Sequence, residues 1–261
     1  MDMKEVFKDY KKYLMEMFGA AVLTLVVGGV AIFTHDLIAT AISMGVIIVA
    51  LGYILGPISG CHLNPALSLA AAMRKKISWK DFGFYALAQL IGALLGGLAI
   101  FLVAICMYGT TGITATMFFG ANNYAPGAGG SLGLGILATM LIVLVLSFVF
   151  VFIALAAAKD EDKKNLSNIP AGIALAVIVF LGIAVGIGAV NPVQSFGIGV
   201  FSGTGALAEV WPFLVIPFGG AALAALTAKF FFDKKKDKQP KVAKQPKAEK
   251  TEKETEEPKA E

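Results

Sequence analysis

The sequence predicts an all-α membrane protein in which six transmembrane helices and two re-entrant half-helices form an inverted 3+3 repeat. Three observations carry this expectation. Long apolar stretches alternate with short charged ones, every basic residue falls on alternate connections, and an Asn-Pro pair recurs 127 positions after its first appearance.

Of the 261 residues, 57% are hydrophobic and only 15% are charged, which is too apolar for an ordinary soluble domain. A helix needs roughly 20 apolar residues to cross a bilayer core about 30 Å thick. Six such stretches can be drawn, at residues 14–33, 38–55, 82–107, 132–157, 169–187 and 211–232. Backbone in lipid must satisfy its own hydrogen bonds, so these stretches read as helices.

The 22 lysines and arginines fall in four clusters, at residues 4–12, 74–80, 159–164 and 229–259. If the first cluster is cytoplasmic and each span crosses once, all four lie on the cytoplasmic side. The outward connections, residues 34–37, 108–131 and 186–210, then carry no Lys or Arg. This is the positive-inside pattern, and it predicts a multi-pass protein of the cell membrane with both termini cytoplasmic. The net charge of +4 is therefore topogenic and does not call for a nucleic-acid partner. Cys61 and Cys106 sit in unrelated apolar contexts and form no disulfide framework. The first apolar run is about as long as a full crossing and five more follow, so it reads as a retained helix and not a cleaved signal peptide.

The expected organisation is a cytoplasmic N-terminal segment (residues 1–12), a membrane domain (13–232) with repeats at about 13–108 and 131–232, and a disordered charged cytoplasmic tail (233–261). The tail mixes Lys, Glu, Pro and Gln with almost no apolar residue, a composition that cannot bury enough surface to fold. Its first lysines, Lys234 to Lys238, are placed to touch anionic headgroups.

The repeat rests on Asn64-Pro65 and Asn191-Pro192, with Gly92-Ala93 and Gly220-Ala221 echoing them at nearly the same offset. Three spans per repeat is an odd number, so the second copy enters the bilayer inverted. Each Asn-Pro pair lies in a connection too apolar for water and is followed by enough residues for two to three helical turns, short of a crossing. Asn is a preferred N-cap and Pro suits the first helical position, so each pair should start a half-helix. Two such N-termini meeting at mid-bilayer place partial positive charge around one constriction and repel cations. The amides of Asn64 and Asn191 would donate to a passing oxygen, so that a single file of water there does not relay protons.

The segments Ser59 to Ala70 (SGCHLNPALSLA) and Gly188 to Gly197 (GAVNPVQSFG) resemble the paired Asn-Pro-Ala boxes of the major intrinsic protein family, the aquaporins and glycerol facilitators. Glu16 in the first span, Gln89 in the third, and Trp211 with Pro217 in the sixth extend the match over about residues 12–232. The resemblance, to the bacterial or archaeal type, implies a passive channel for water and small uncharged solutes such as glycerol that excludes protons and ions. It also implies a homotetramer in a lipid bilayer, with no cofactor, no metal and no enzymatic activity. Asn64, Pro65, Ala66, Asn191, Pro192 and Val193 would be the pore motifs. By the family's spacing Met44, Val179, Gly188 and Gln194 would form the selectivity filter, with Glu16, His62 and Gln89 as structural support.

The second box departs from the family, which usually has Ala and Arg where Val193 and Gln194 stand. Gln194 keeps hydrogen-bonding capacity but removes a fixed positive charge. With Met44 and Gly188 in aromatic places and Ser195 after Gln194, the filter matches neither the water-selective nor the glycerol-conducting type and is expected to be less polar and wider than the water-selective one. Glu16 has Val143 as its counterpart in the second repeat. Two rivals remain open at this stage. An ion-coupled secondary transporter would share inverted repeats and broken helices, but its coupling usually needs embedded acids, and Glu16 alone lies within the spans. An intramembrane enzyme would have to use Ser59, Cys61 and His62 without an orienting acid.

Overall fold

A computed structural model of the chain describes residues 10–118, 135–159, 167–184, 187 and 190–233. Its helices are α1 (Tyr10–Thr34), α2 (Leu37–Ser59), α3 (Pro65–Met73), α4 (Trp79–Phe118), α5 (Ile136–Ala157), α6 (Asn168–Ala184), α7 (Pro192–Gly199), α8 (Thr204–Glu209) and α9 (Trp211–Phe232). Among the described residues there is no strand.

The burial pattern is that of a membrane protein. Large apolar side chains such as Tyr53, Leu137 and Phe230 are exposed on the outside, while Glu16, Thr24, Gln89, Thr139 and Ser147 are buried within. Five helical stretches are long and apolar enough to cross a bilayer, with mean hydropathies from 1.8 to 3.1. The remaining long helix, α6, has 17 residues, about 26 Å at roughly 1.5 Å per residue.

Packing follows the duplication. Helix α1 packs on α4 and on α2, and the equivalent pairs α5 with α9 and α5 with α6 repeat those contacts in the second half, while α2 and α6 cross each other on the pseudo-twofold axis. Small residues set these crossings, as expected where lipid gives helices no hydrophobic reason to associate. A Cβ on Gly92 of α4 would lie 2.0 Å from Met17 O of α1, and one on Gly220 of α9 would lie 2.5 Å from Leu144 O of α5. Met17 and Leu144 are themselves 127 positions apart. At the axis, Gly45 and Gly172 face each other, each with room for no Cβ against the other's carbonyl oxygen, at 2.6 Å. The half-helices are exchanged, α3 packing on α9 and α7 on α4.

Local chemistry explains most boundaries. Asp36 caps α2 by accepting from Ile38 N and Ala39 N at 2.8 and 2.9 Å. Ser78 caps α4 by accepting from Asp81 N at 3.0 Å. Gly60, with φ of 89°, ends α2 in the left-handed conformation that glycine adopts without penalty.

Several boundaries differ from expectation. Helix α1 begins at Tyr10, inside the segment assigned to the N-terminal tail, because Tyr13 donates to Asp81 at 2.7 Å and Lys12 pairs with the same carboxylate at 2.9 Å. Helix α2 runs through Pro57 to Ser59, where a stop near Leu55 was expected. Helix α4 starts three residues earlier than drawn and continues beyond Met107 to Phe118, broken at Gly109, whose φ of 68° no α-helix holds. Helix α8 was not foreseen in the connection before α9. The 1–9 segment, the connection at 119–134, most of the basic cluster at 159–164, Gly188 and the tail beyond Asp233 lie outside the described residues.

Candidate pore site

Both half-helices begin as their sequences require. Pro65 and Pro192 occupy the first helical positions, and Ser68 N and Ser195 N donate to Asn64 O and Asn191 O, each at 3.0 Å. Asn64 caps α3 with its side chain, Oδ1 accepting from Ala66 N at 2.9 Å. The matching expectation for Asn191 fails, since its side chain makes no cap to α7 and Oδ1 has no partner. The reason is a competing bond. Asn191 Nδ2 donates to Leu63 O at 2.8 Å, and reciprocally Asn64 Nδ2 donates to Val190 O at 3.2 Å. Each asparagine thus holds the carbonyl that immediately precedes the other, and each amide nitrogen keeps a second hydrogen. The two broken helices therefore meet start to start.

The loop leading to Asn64 is unusual in its backbone. Cys61 and Leu63 have φ of 53° and 49°, values that cost a side-chain-bearing residue energy and persist only where the surroundings impose them. Glu16, fully buried on α1, imposes them. Its Oε1 accepts from Ser59 Oγ at 2.6 Å and His62 N at 3.0 Å, and its Oε2 accepts from Leu63 N at 2.7 Å and Gln89 Nε2 at 2.8 Å. Four donors around one carboxylate offset the cost of burying it. Ser68 completes the cluster, taking Gln89 Nε2 at 3.0 Å and His62 Nδ1 at 3.1 Å while its hydroxyl reaches Asn64 O at 3.2 Å. Tyr85 adds a bond from its hydroxyl to Ser59 O at 2.6 Å. Ser59 and His62, raised as an enzyme's nucleophile and base, are engaged here with Glu16 and Ser68 instead.

In the second repeat the carboxylate is absent. Val143 occupies its place in an apolar cluster with Ile187 and Phe213. Among the described residues, the turn before Asn191 takes one side-chain bond from the first repeat, Asn64 Nδ2 to Val190 O.

Two cavities meet these elements. A vestibule of about 290 Å³ is lined by the end of α2, Cys61, His62 and Lys76, with Phe150, Ala158 and Asn168 opposite. Beyond it lies a constriction of about 10 Å³ lined by Asn64, Asn191, Met44, Gln194, His62 and the surrounding apolar residues Leu23, Ile48, Phe150, Leu175 and Val190. A single water occupies about 10–15 Å³ on that measure. Gln194 is buried and its Oε1 has no partner. Val179 is buried in the apolar cluster that contains Met44. Pro65, Ala66, Pro192 and Val193 are all buried at the half-helix starts. Among the described residues no group of three His, Cys, Asp or Glu side chains converges as a metal site would require.

Ser68, Tyr85 and the carbonyls of Leu63 and Val190 were not singled out from the sequence. Ser68 follows Asn64 by four positions on a helix and Tyr85 precedes Gln89 by four, so each lies on the face of a residue already singled out.

Arg74 ends α3 and Asp233 ends α9, and the two form a bidentate ion pair with Nη1 to Oδ2 at 2.9 Å and a second bond from Nη2 to Oδ1. The guanidinium holds the Asp233 carboxyl below its usual range.

Comparison with known proteins agrees with this arrangement. The profile of the major intrinsic protein family matches residues 3–228. Aquaporin Z of Rhodopseudomonas palustris is 29% identical over 222 residues, covering 82% of this chain and 90% of that protein. Glycerol uptake facilitator protein-like 6 of Lactiplantibacillus plantarum is also 29% identical, covering 84% of this chain and 97% of its own length. The X-ray structure of the aquaglyceroporin from Plasmodium falciparum superposes with a TM-score of 0.71 at 20% identity, over 84% of this chain and 95% of that one, which supports the fold. With a family profile spanning nearly all of the chain and paired Asn-Pro turns meeting inside a six-crossing helical framework, the protein belongs to the major intrinsic protein family.

Proposed function

We propose that the chain is a passive channel for water and small uncharged solutes such as glycerol, excluding ions and protons. The observation that carries this is the reciprocal pairing of Asn64 with Val190 O and Asn191 with Leu63 O beside a constriction the size of one water. Two helix N-termini bring roughly half a positive charge each to that point, so cations meet an electrostatic barrier in a low-dielectric setting. The remaining amide hydrogens give a passing oxygen two donors in fixed directions, which orients the file of water against proton relay.

Met44 and Gln194 form the selective wall in this reading, with Val179 behind Met44 and Gly188 as the fourth filter position. Glycerol needs more room than one water. Met44 is unbranched and its rotamer change opens that room at low cost. Support for a passive channel over an ion-coupled transporter comes from Glu16, whose two oxygens are occupied by four donors. A coupling acid must bind and release an ion, whereas this one is a fixed strut. The subunit is expected to sit as a homotetramer in the cell membrane with both termini cytoplasmic and the 233–261 tail solvated.

Stopped-flow measurements on proteoliposomes, run in parallel for water, glycerol, urea and a proton gradient, test the proposal. Water flux above bare lipid without proton flux supports it, and uptake that depends on an ion gradient refutes it. Gln194→Arg should narrow the range of solutes, and an unchanged solute profile would remove Gln194 from the filter.

A further inference from the structure

Resting on the channel reading, we propose that the vestibule of about 290 Å³ is a second selectivity site, a station that holds a small polyol such as glycerol through the side chain of Asn168. The offset of 127 that relates Asn64 to Asn191 and Met17 to Leu144 also relates each filter position to a residue of the other repeat. Met44 answers to Ala171, Gly188 to Cys61, Gln194 to Leu67 and Val179 to Gly52. Ala171, Cys61 and Leu67 all line the vestibule. Gly52 is covered by Asn168, whose Cγ and Nδ2 lie 2.3 and 2.6 Å from where a Cβ on Gly52 would sit, and Asn168 lines the vestibule in its place. The vestibule is thus the inner counterpart of the outer filter, with Ala and Leu where the filter has Met and Gln.

Its chemistry suits a polyol. No Asp or Glu lines it, so it offers a cation no counter-charge, while Ile48, Leu67, Phe150 and Leu155 supply an apolar wall. Among the polar side chains that line it, Ser59 is engaged with Glu16 and His62 with Ser68. Asn168 is half-buried, and among the described residues its amide has no hydrogen-bond partner. An amide carries an acceptor oxygen and an NH₂ donor side by side. Two adjacent hydroxyls of a polyol meet both ends at once, one donating to Oδ1 and the other accepting from Nδ2, with the C–H edge turned to the apolar wall. A water molecule has no such edge to bury. Packing over Gly52 and Gly56 limits the amide's freedom before the solute arrives, which lowers the entropy lost on binding. Ile48, His62 and Phe150 line both the vestibule and the constriction, so a solute held at Asn168 stands next to the narrow passage.

Tracer exchange of labelled glycerol, with equal unlabelled glycerol on both sides of proteoliposomes, tests the station, and an osmotic step reads water flux on the same preparations. Exchange through the wild type should saturate as glycerol is raised. Asn168→Leu, which keeps bulk over Gly52 and removes the amide, should raise the half-saturating concentration about five- to tenfold, as the loss of one or two hydrogen bonds would, with water flux within a factor of two. Asn168→Ala should do the same, and it carries the test if the leucine variant does not fold. Glycerol exchange that stays proportional to concentration in the wild type overturns the inference and leaves the channel reading standing. So does a half-saturating concentration unchanged by the substitutions, or a loss of water and glycerol flux together in both variants, which marks a packing role. Wild-type flux of neither water nor glycerol above bare lipid overturns the channel reading itself.

Discussion

Glu16→Gln tests how the first Asn-Pro turn is held. The substitution keeps size and shape but turns one acceptor oxygen into a donor. If the new nitrogen takes the Oε2 position, it meets Leu63 N and Gln89 Nε2, 2.7 and 2.8 Å from the present oxygen. Gln89 can turn over, presenting its partnerless Oε1, but the Leu63 N–H cannot. If the nitrogen takes the Oε1 position, the Ser59 hydroxyl can reverse and accept, but the His62 N–H, now 3.0 Å away, cannot. Either way one buried backbone donor is orphaned, a cost of about 1–3 kcal/mol. That is roughly a 5- to 150-fold shift in the equilibrium holding the loop, at about 1.4 kcal/mol per tenfold. Glu16→Leu orphans both backbone donors, about 2–6 kcal/mol, a large part of the roughly 5–15 kcal/mol that holds a typical domain together. The purified Glu16→Gln protein should therefore show a lower apparent Tm in detergent and reduced water permeability after reconstitution, and Glu16→Leu should not accumulate folded. An apparent Tm and water permeability equal to the parent's in Glu16→Gln would refute the idea that this carboxylate positions the turn.

Three further outcomes follow from the same geometry. Asn64→Ala loses both a helix cap and a bond across the repeats, whereas Asn191→Ala loses only the bond, so thermal unfolding should find the first less stable by about 1 kcal/mol. Gly97→Val drives a side chain into Gly197 O, 2.0 Å from where its Cβ would sit, and should abolish the monodisperse peak in size-exclusion chromatography, while Gly83→Ala, which meets nothing within 4 Å, should leave it unchanged. Asp233 has its carboxyl lowered from 3.8 by Arg74, so its pairing is complete above that value and is lost only as pH falls through the lower folded value; the slope of stability against pH from 8 to 5 should be the same for wild type and Asp233→Asn.

The architecture was legible because lipid makes strong demands on sequence. Apolar length, the placement of lysines and the recurrence of Asn-Pro at one spacing were enough to place six crossings and two half-helices, and the Gly92 and Gly220 echo proved to be two equivalent helix contacts. Glu16, His62 and Gln89, expected as structural support, lie in one hydrogen-bonded cluster, and an ionisable residue in a span needs such partners. What escaped was directional. That Asn191 turns away from its own helix could not be read from a motif shared with Asn64, because the decision lies with Leu63 O, 128 positions away. The passage of α2 through Pro57 was hidden for a different reason. Proline removes the bond to the carbonyl four residues back, here Tyr53 O, and crowds it, so a helix is expected to stop there, whereas α2 runs two residues further.

Val143 in the place of a second carboxylate gives the two repeats unequal standing during biogenesis. The N-terminal repeat carries the means to shape its own turn, through Glu16, before the rest of the chain has emerged. Among the described residues of the C-terminal repeat, no carboxylate stands where Glu16 stands in the first, and the turn before Asn191 takes a side-chain bond from Asn64. The two asparagine bonds at the throat each join one repeat to the other, so if the chain were severed between residues 118 and 135 the two pieces would have to reunite before either possessed a conduit.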